Sequence, residues 1–119
     1  MDKVFIEELC VYTTIGVYDW EKQIKQKLVL DLIMDWDNSL AAADDDLRYA
    51  LNYAAVSEAV TSLIQAQPYE LIETVAEHVA QLLLREFAIT HLTVKVRKPG
   101  AVANALSVGV SIERTRSDV

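Results

Sequence analysis

At 119 residues, with 52% hydrophobic and 24% charged side chains, the chain is expected to form a single domain over 1–119 that buries about two-thirds of its unfolded surface. Three glycines and two prolines leave little material for disordered linkers. Eleven basic against eighteen acidic side chains give a net charge of −7, with no basic stripe to neutralise a polyphosphate backbone, which argues against nucleic acid and anionic membranes as partners.

Met1–Glu7 has neither the basic start nor the apolar run of a secretory signal, and Asp31 and Arg85 interrupt the greasiest stretches, so no bilayer span is expected. The single cysteine, Cys10, rules out an internal disulfide and is expected as a small buried apolar group in a reducing cytoplasm. Leu9, Val11, Thr13, Ile15 and Val17 then alternate with Cys10, Tyr12 and Thr14, which predicts a strand. Charged residues and a glycine make 16–25 a connection long enough to shape a site. A second alternation over Lys27–Trp36 predicts the next strand, with Leu28, Leu30, Leu32, Met34 and Trp36 on one face.

Ser39–Leu47 reads as a short helix running into an acidic loop at Asp44-Asp45-Asp46. From Asn52 the apolar spacing becomes helical: Val56, Ala59, Val60, Leu63 and Ile64 form one stripe, Asn52 is the N-cap, Tyr53 opens the helix and Pro68 marks its end. A second helix from about Glu70 to Phe87 carries Ile72, Val75, Ala76, Val79, Leu82 and Leu83 at helical intervals. Strands over Leu92–Lys98 and Ser107–Glu113 complete a β-β-α-α-β-β order. Each strand has one apolar and one mixed face. The predicted fold class is therefore α+β, a four-stranded antiparallel sheet with two helices packed on one face. Its bare edges are expected to pair between subunits of a homo-oligomer.

Strand parity makes Lys98 the most informative side chain. Positions 92, 94 and 96 are apolar, so the two-residue period puts Lys98 in the core-facing set just before Pro99-Gly100 stops the strand. A partly desolvated amine there would be fitted for proton transfer near neutral pH, whereas an ordinary strand-end lysine snorkels its amine to water. Glu21 in the first connection, Tyr53 at one helix start and Glu73 near the other are further candidates at element boundaries. Each has a plainer reading, with the carboxylates solvated and the tyrosine ring simply packed. Cys10, His78 and His91 stand at no zinc-binding interval, and no glycine-rich phosphate loop or nucleophile motif is present. No metal and no cofactor are expected.

Read with their neighbours, these positions carry a resemblance along most of the chain. Gly16-Val17-Tyr18-Asp19-Trp20-Glu21, Leu51-Asn52-Tyr53, Leu71-Ile72-Glu73 and Lys98-Pro99-Gly100-Ala101 are similar to the dihydroneopterin aldolase family of tunnelling-fold pterin enzymes. The resemblance implies retro-aldol cleavage of 7,8-dihydroneopterin in folate biosynthesis, without a metal or a lysine Schiff base. It implies Lys98 and Tyr53 as the acid–base pair, with Glu21, Tyr53, Ile72 and Glu73 contacting substrate. It further implies a cytoplasmic homo-octamer of two stacked tetrameric rings, and allows epimerisation to 7,8-dihydromonapterin. Two alternatives remain open: a dihydroneopterin triphosphate epimerase, and a non-catalytic pterin-binding or oligomerisation module.

Overall fold

The computed structural model describes residues 1–119. Four strands, β1 (Lys3–Thr13), β2 (Gln26–Asp35), β3 (His91–Pro99) and β4 (Ser107–Thr115), form one antiparallel sheet in the order β1-β2-β3-β4. Between β2 and β3 the chain forms α1 (Ser39–Asp44), α2 (Tyr53–Gln65) and α3 (Ile72–Glu86). The expected α+β class and element order hold. No helix is long and apolar enough to cross a membrane.

The core lies between the sheet and the two long helices. Leu28, Leu30, Leu32 and Met34 of β2 meet Leu92, Val94 and Val96 of β3, and this floor is covered by Val56, Val60 and Ile64 of α2 and Val75, Val79 and Leu83 of α3. Full burial of such side chains contributes about 1.5–3 kcal/mol each. The helical stripes predicted from the sequence are thus the faces that pack. Asn52 caps α2 by accepting a hydrogen bond from the Ala55 amide at 3.0 Å. Arg114 of β4 grips Glu77 of α3 at 2.9 Å, and Arg116 donates to the Phe87 and Ile89 carbonyls just beyond the end of α3. These contacts fix α3 against the second half of the sheet.

The first strand departs from expectation. It begins at Lys3 and ends at Thr13, whereas the alternation predicted 9–17. A β-bulge accounts for the early part: Ile6 pairs with Leu32 and Leu9 with Leu30, so Glu7 and Glu8 together oppose Asp31. Glu8 takes φ 55°, and its amide donates to the Asp31 carboxylate at 2.8 Å. The extra residue restores the phase, so Val4 and Ile6 on one side of the bulge and Leu9 and Val11 on the other all pack against the core. Parity then puts Cys10 on the opposite face with Tyr12, and Cys10 is exposed, not buried as expected. At the other end, Val17 is exposed because the chain has already turned at Gly16.

Candidate active site

At one end of the sheet the helix-facing rows finish in polar residues. Thr13 closes β1, Gln26 opens β2 and Lys98 lies near the end of β3. The Thr13 hydroxyl is satisfied by the Ile64 carbonyl at 3.1 Å. Lys98 and Gln26 both turn to Glu21. The Lys98 side chain is 14% exposed, and its Nζ sits 2.5 Å from Glu21 Oε2. The amine therefore does not snorkel to bulk water, and the solvated reading of Glu21 does not hold either, since that residue is 4% exposed.

A short 3₁₀ turn over Asp19–Gln23 delivers Glu21 to this corner. Gln26 Nε2 donates to the same carboxylate oxygen at 3.1 Å and to the Ile15 carbonyl at 2.9 Å, tying the turn to the strand before it. The Tyr18 amide donates to the other oxygen at 3.3 Å. The hydrogen bond from Lys98, helped by those from Gln26 and Tyr18, holds the Glu21 carboxyl below the ordinary range despite its burial. Glu21 is thus an anion within a set of donors. Beneath it lies Gly16, with φ +136°; a Cβ there would fall 2.2–2.5 Å from the Glu21 carboxylate atoms, so glycine is required both for the backbone and for the space.

The other two candidates stand apart from this corner. Tyr53 is the first residue of α2 and is 64% exposed. Glu73 lies exposed in the first turn of α3, and Ile72 before it packs partly against the core. Leu71 at the N-cap of α3 offers no side-chain acceptor to the first-turn amides. No hydrogen bond or ion pair joins Tyr53 or Glu73 to Glu21 or Lys98 within the chain. Loop 14–16 is nevertheless tied to the segment before α3, because Ile15 and Tyr69 form a parallel bridge. A cavity of about 290 Å³ opens there, lined by Thr14, Gly16, Lys22, Pro68, Tyr69 and Glu70. A roomier hollow of about 400 Å³ on the open sheet face, by Phe5, Ile33 and Lys95, contains none of the candidate residues. No group of three or more His, Cys, Asp or Glu side chains is arranged to hold a metal ion.

Gln26 was not among the residues singled out from the sequence, and Gly16 and Tyr18 entered only within the first motif, without a role of their own. Gln26 was readable by the logic that found Lys98, since it is a polar residue in the row that continues as Leu28, Leu30 and Leu32.

The FolB dihydroneopterin aldolase family model matches residues 4–113. The chain is 55% identical over 114 residues to a dihydroneopterin aldolase of Haemophilus influenzae, covering 96% of this chain and 97% of that one. It is 35% identical over 117 residues to that of Bacillus subtilis, covering 98% of each. The crystal structure of Escherichia coli dihydroneopterin aldolase in complex with neopterin superposes with a TM-score of 0.93 at 54% identity, covering 96% of this chain and 99% of that one. With the fold, the motifs and this identity in agreement, the chain belongs to the dihydroneopterin aldolase family.

Proposed function

We propose that this protein cleaves 7,8-dihydroneopterin by a retro-aldol reaction to 6-hydroxymethyl-7,8-dihydropterin and glycolaldehyde in folate biosynthesis. The observation that carries the reading is the buried pair of Lys98 and Glu21, an amine held in a corner largely closed to water by a carboxylate kept ionised. Breaking the carbon–carbon bond requires removal of the proton from the side-chain hydroxyl beyond it. The bonding electrons pass into the ring imine and the ring nitrogen is protonated as they arrive; the carbon left behind then gains a proton as the nitrogen gives one up, which restores the imine and leaves the hydroxymethyl group. Because the substrate supplies its own electron sink, what the protein must supply is proton transfer and orientation.

Lys98 and Tyr53 are the acid–base pair in this scheme, exchanging protons with substrate through water. Glu21 fixes the Lys98 amine and faces the polar end of the substrate with it. Glu73 accepts two parallel N–H bonds from the amino group and adjacent nitrogen of the pterin, and the backbone at Ile72 adds a contact to the ring. Charge-assisted bonds of about 1.5–3 kcal/mol each make Glu73 the main determinant of ring recognition.

The exposure of Tyr53 at the start of α2, away from the Glu21–Lys98 corner, supports completion of the site by Tyr53 of a second copy, with Glu73 serving the corner of its own chain. The open edges of β1 and β4 and the exposed Val17, Tyr18 and Trp20 beside the corner favour the same reading. We assign the assembly as a cytoplasmic octamer of two tetrameric rings. Analytical ultracentrifugation should then find a species eight times the 13.3 kDa of the chain. Re-addition of glycolaldehyde to the opposite face before it escapes would give 7,8-dihydromonapterin as a by-product.

Incubation with dihydroneopterin and with its triphosphate, read by mass spectrometry, tests the assignment. Glycolaldehyde release from dihydroneopterin supports it. Turnover of the triphosphate alone would make the protein an epimerase, and binding without conversion would make it a non-catalytic module.

A further inference from the structure

Tyr69 lies between the loop that carries Gly16 and the helix that carries Glu73, and touches both. Its backbone forms the only bridge outside the four strands: the Tyr69 amide donates to the Thr14 carbonyl at 3.0 Å, and the Gly16 amide donates to the Tyr69 carbonyl at 3.0 Å. Gly16 is the residue on which the Glu21 carboxylate rests, so whatever moves Tyr69 moves the floor beneath the Glu21–Lys98 pair. The Tyr69 side chain points the other way. The residue is 6% exposed; its ring meets that of His78 edge-on at 5.5 Å and 72°, and its hydroxyl is hydrogen-bonded to His78 Nδ1 at 3.3 Å. His78 belongs to α3, the helix that carries Glu73 in its first turn, and its neighbour Glu77 is anchored to β4 through Arg114.

We propose that Tyr69 is a positioning residue, whose hydroxyl contact with His78 fixes the Glu21–Lys98 corner relative to Glu73. This rests on the division of roles proposed above, in which Glu73 holds the ring while Lys98 moves protons. A second tie between the same segments, Lys22 to Glu70 at 3.3 Å, joins two side chains 45% and 61% exposed and contributes little. The tyrosine contact is half-buried, with Tyr69 inside and His78 at the surface, and it joins two rings of fixed shape, so it carries the alignment. Loss of the hydroxyl leaves Glu73 able to hold the pterin but lets the proton-transfer group drift from the bond that breaks. Turnover should suffer, and ring recognition should not.

The test uses the full chain with three substitutions. Tyr69→Phe removes only the hydroxyl, His78→Leu removes its partner, and His78→Gln retains a hydrogen-bonding group there. The expected result for the first two is a fall in kcat of up to about tenfold with KM within about twofold, the size of one neutral hydrogen bond. Exchange protection of the Gly16 amide should fall with it. His78→Gln should recover both, and the double variant Tyr69→Phe/His78→Leu should be no worse than either single one. A general loss of stability would not produce that rescue or that non-additivity. Unchanged kcat in folded Tyr69→Phe overturns the proposal, and so does unchanged Gly16 exchange. A wild-type chain that binds pterin without cleaving it would sink the aldolase reading instead, while Gly16 exchange would still decide whether the tether exists.

Discussion

The Glu21–Lys98 corner and the exposed side chains of Tyr53 and Glu73 are parts of one proposed site built to opposite rules. In the corner every polar group has a partner: lysine, glutamine and a backbone amide converge on one carboxylate, over a glycine that leaves it room. Tyr53 and Glu73 stand at helix starts in solvent, without side-chain partners in their own chain. The first arrangement suits proton transfer, which requires a fixed geometry and controlled charge. The second leaves both side chains free to meet a partner from outside the chain, the pterin for Glu73 and the site of a neighbouring copy for Tyr53.

Substitutions should separate the two regions sharply. Lys98→Ala is expected to lower kcat by about 10²–10⁴ with nearly unchanged pterin affinity. It should also destabilise the fold by about 3–5 kcal/mol, because Glu21 is left charged and buried. Glu73→Ala should do the reverse in solution assays, weakening pterin binding by about 10²-fold or more while leaving urea stability within about 0.5 kcal/mol. Steady-state kinetics beside urea melts reads both, and equal kinetic losses in the two variants would erase the distinction.

Gly16→Ala attacks the corner from below. The added methyl collides with the Glu21 carboxylate and meets an unfavourable φ, so a stability loss of about 1–3 kcal/mol should accompany a large fall in kcat. Acid provides a gentler probe. The folded-state pKa of Glu21 lies below its ordinary value of 4.5, so its contribution is complete above that value and is lost as pH falls through the lower folded one. Urea stability should therefore decline below about pH 4.5, and Glu21→Gln should flatten that part of the decline. The smallest effect belongs to the exposed side. Asn52→Ala removes the cap beneath Tyr53 and should cost about 1 kcal/mol in the same melts.

Much of the corner was legible before any coordinates, because strand parity is a rigid rule. Leu92, Val94 and Val96 determine where Lys98 must point, and Asn52 announces the start of its helix by chemistry confined to four residues. The pairing of Lys98 with Glu21 was not legible, since the two are 77 positions apart and nothing in either local pattern refers to the other. Resemblance named both residues without saying that they meet. The bulge at Glu7-Glu8 escaped for a different reason. Two successive glutamates break the alternation, so the early half of β1 looked irregular although its apolar residues face the core. Cys10 was misjudged through its residue type, which favours burial on average, when parity had already assigned it to the other face.

That bulge bears on which neighbours the molecule can accept. An unbroken run of eleven extended residues on a sheet edge would offer a uniform ladder, along which foreign strands could slide and stack into fibrils. With Glu8 turned to positive φ and its amide committed to Asp31, the edge is divided into two short frames at a fixed offset. Only a strand cut to the same interrupted template can dock along its full length, so a local irregularity in backbone phase becomes a lock against polymerisation.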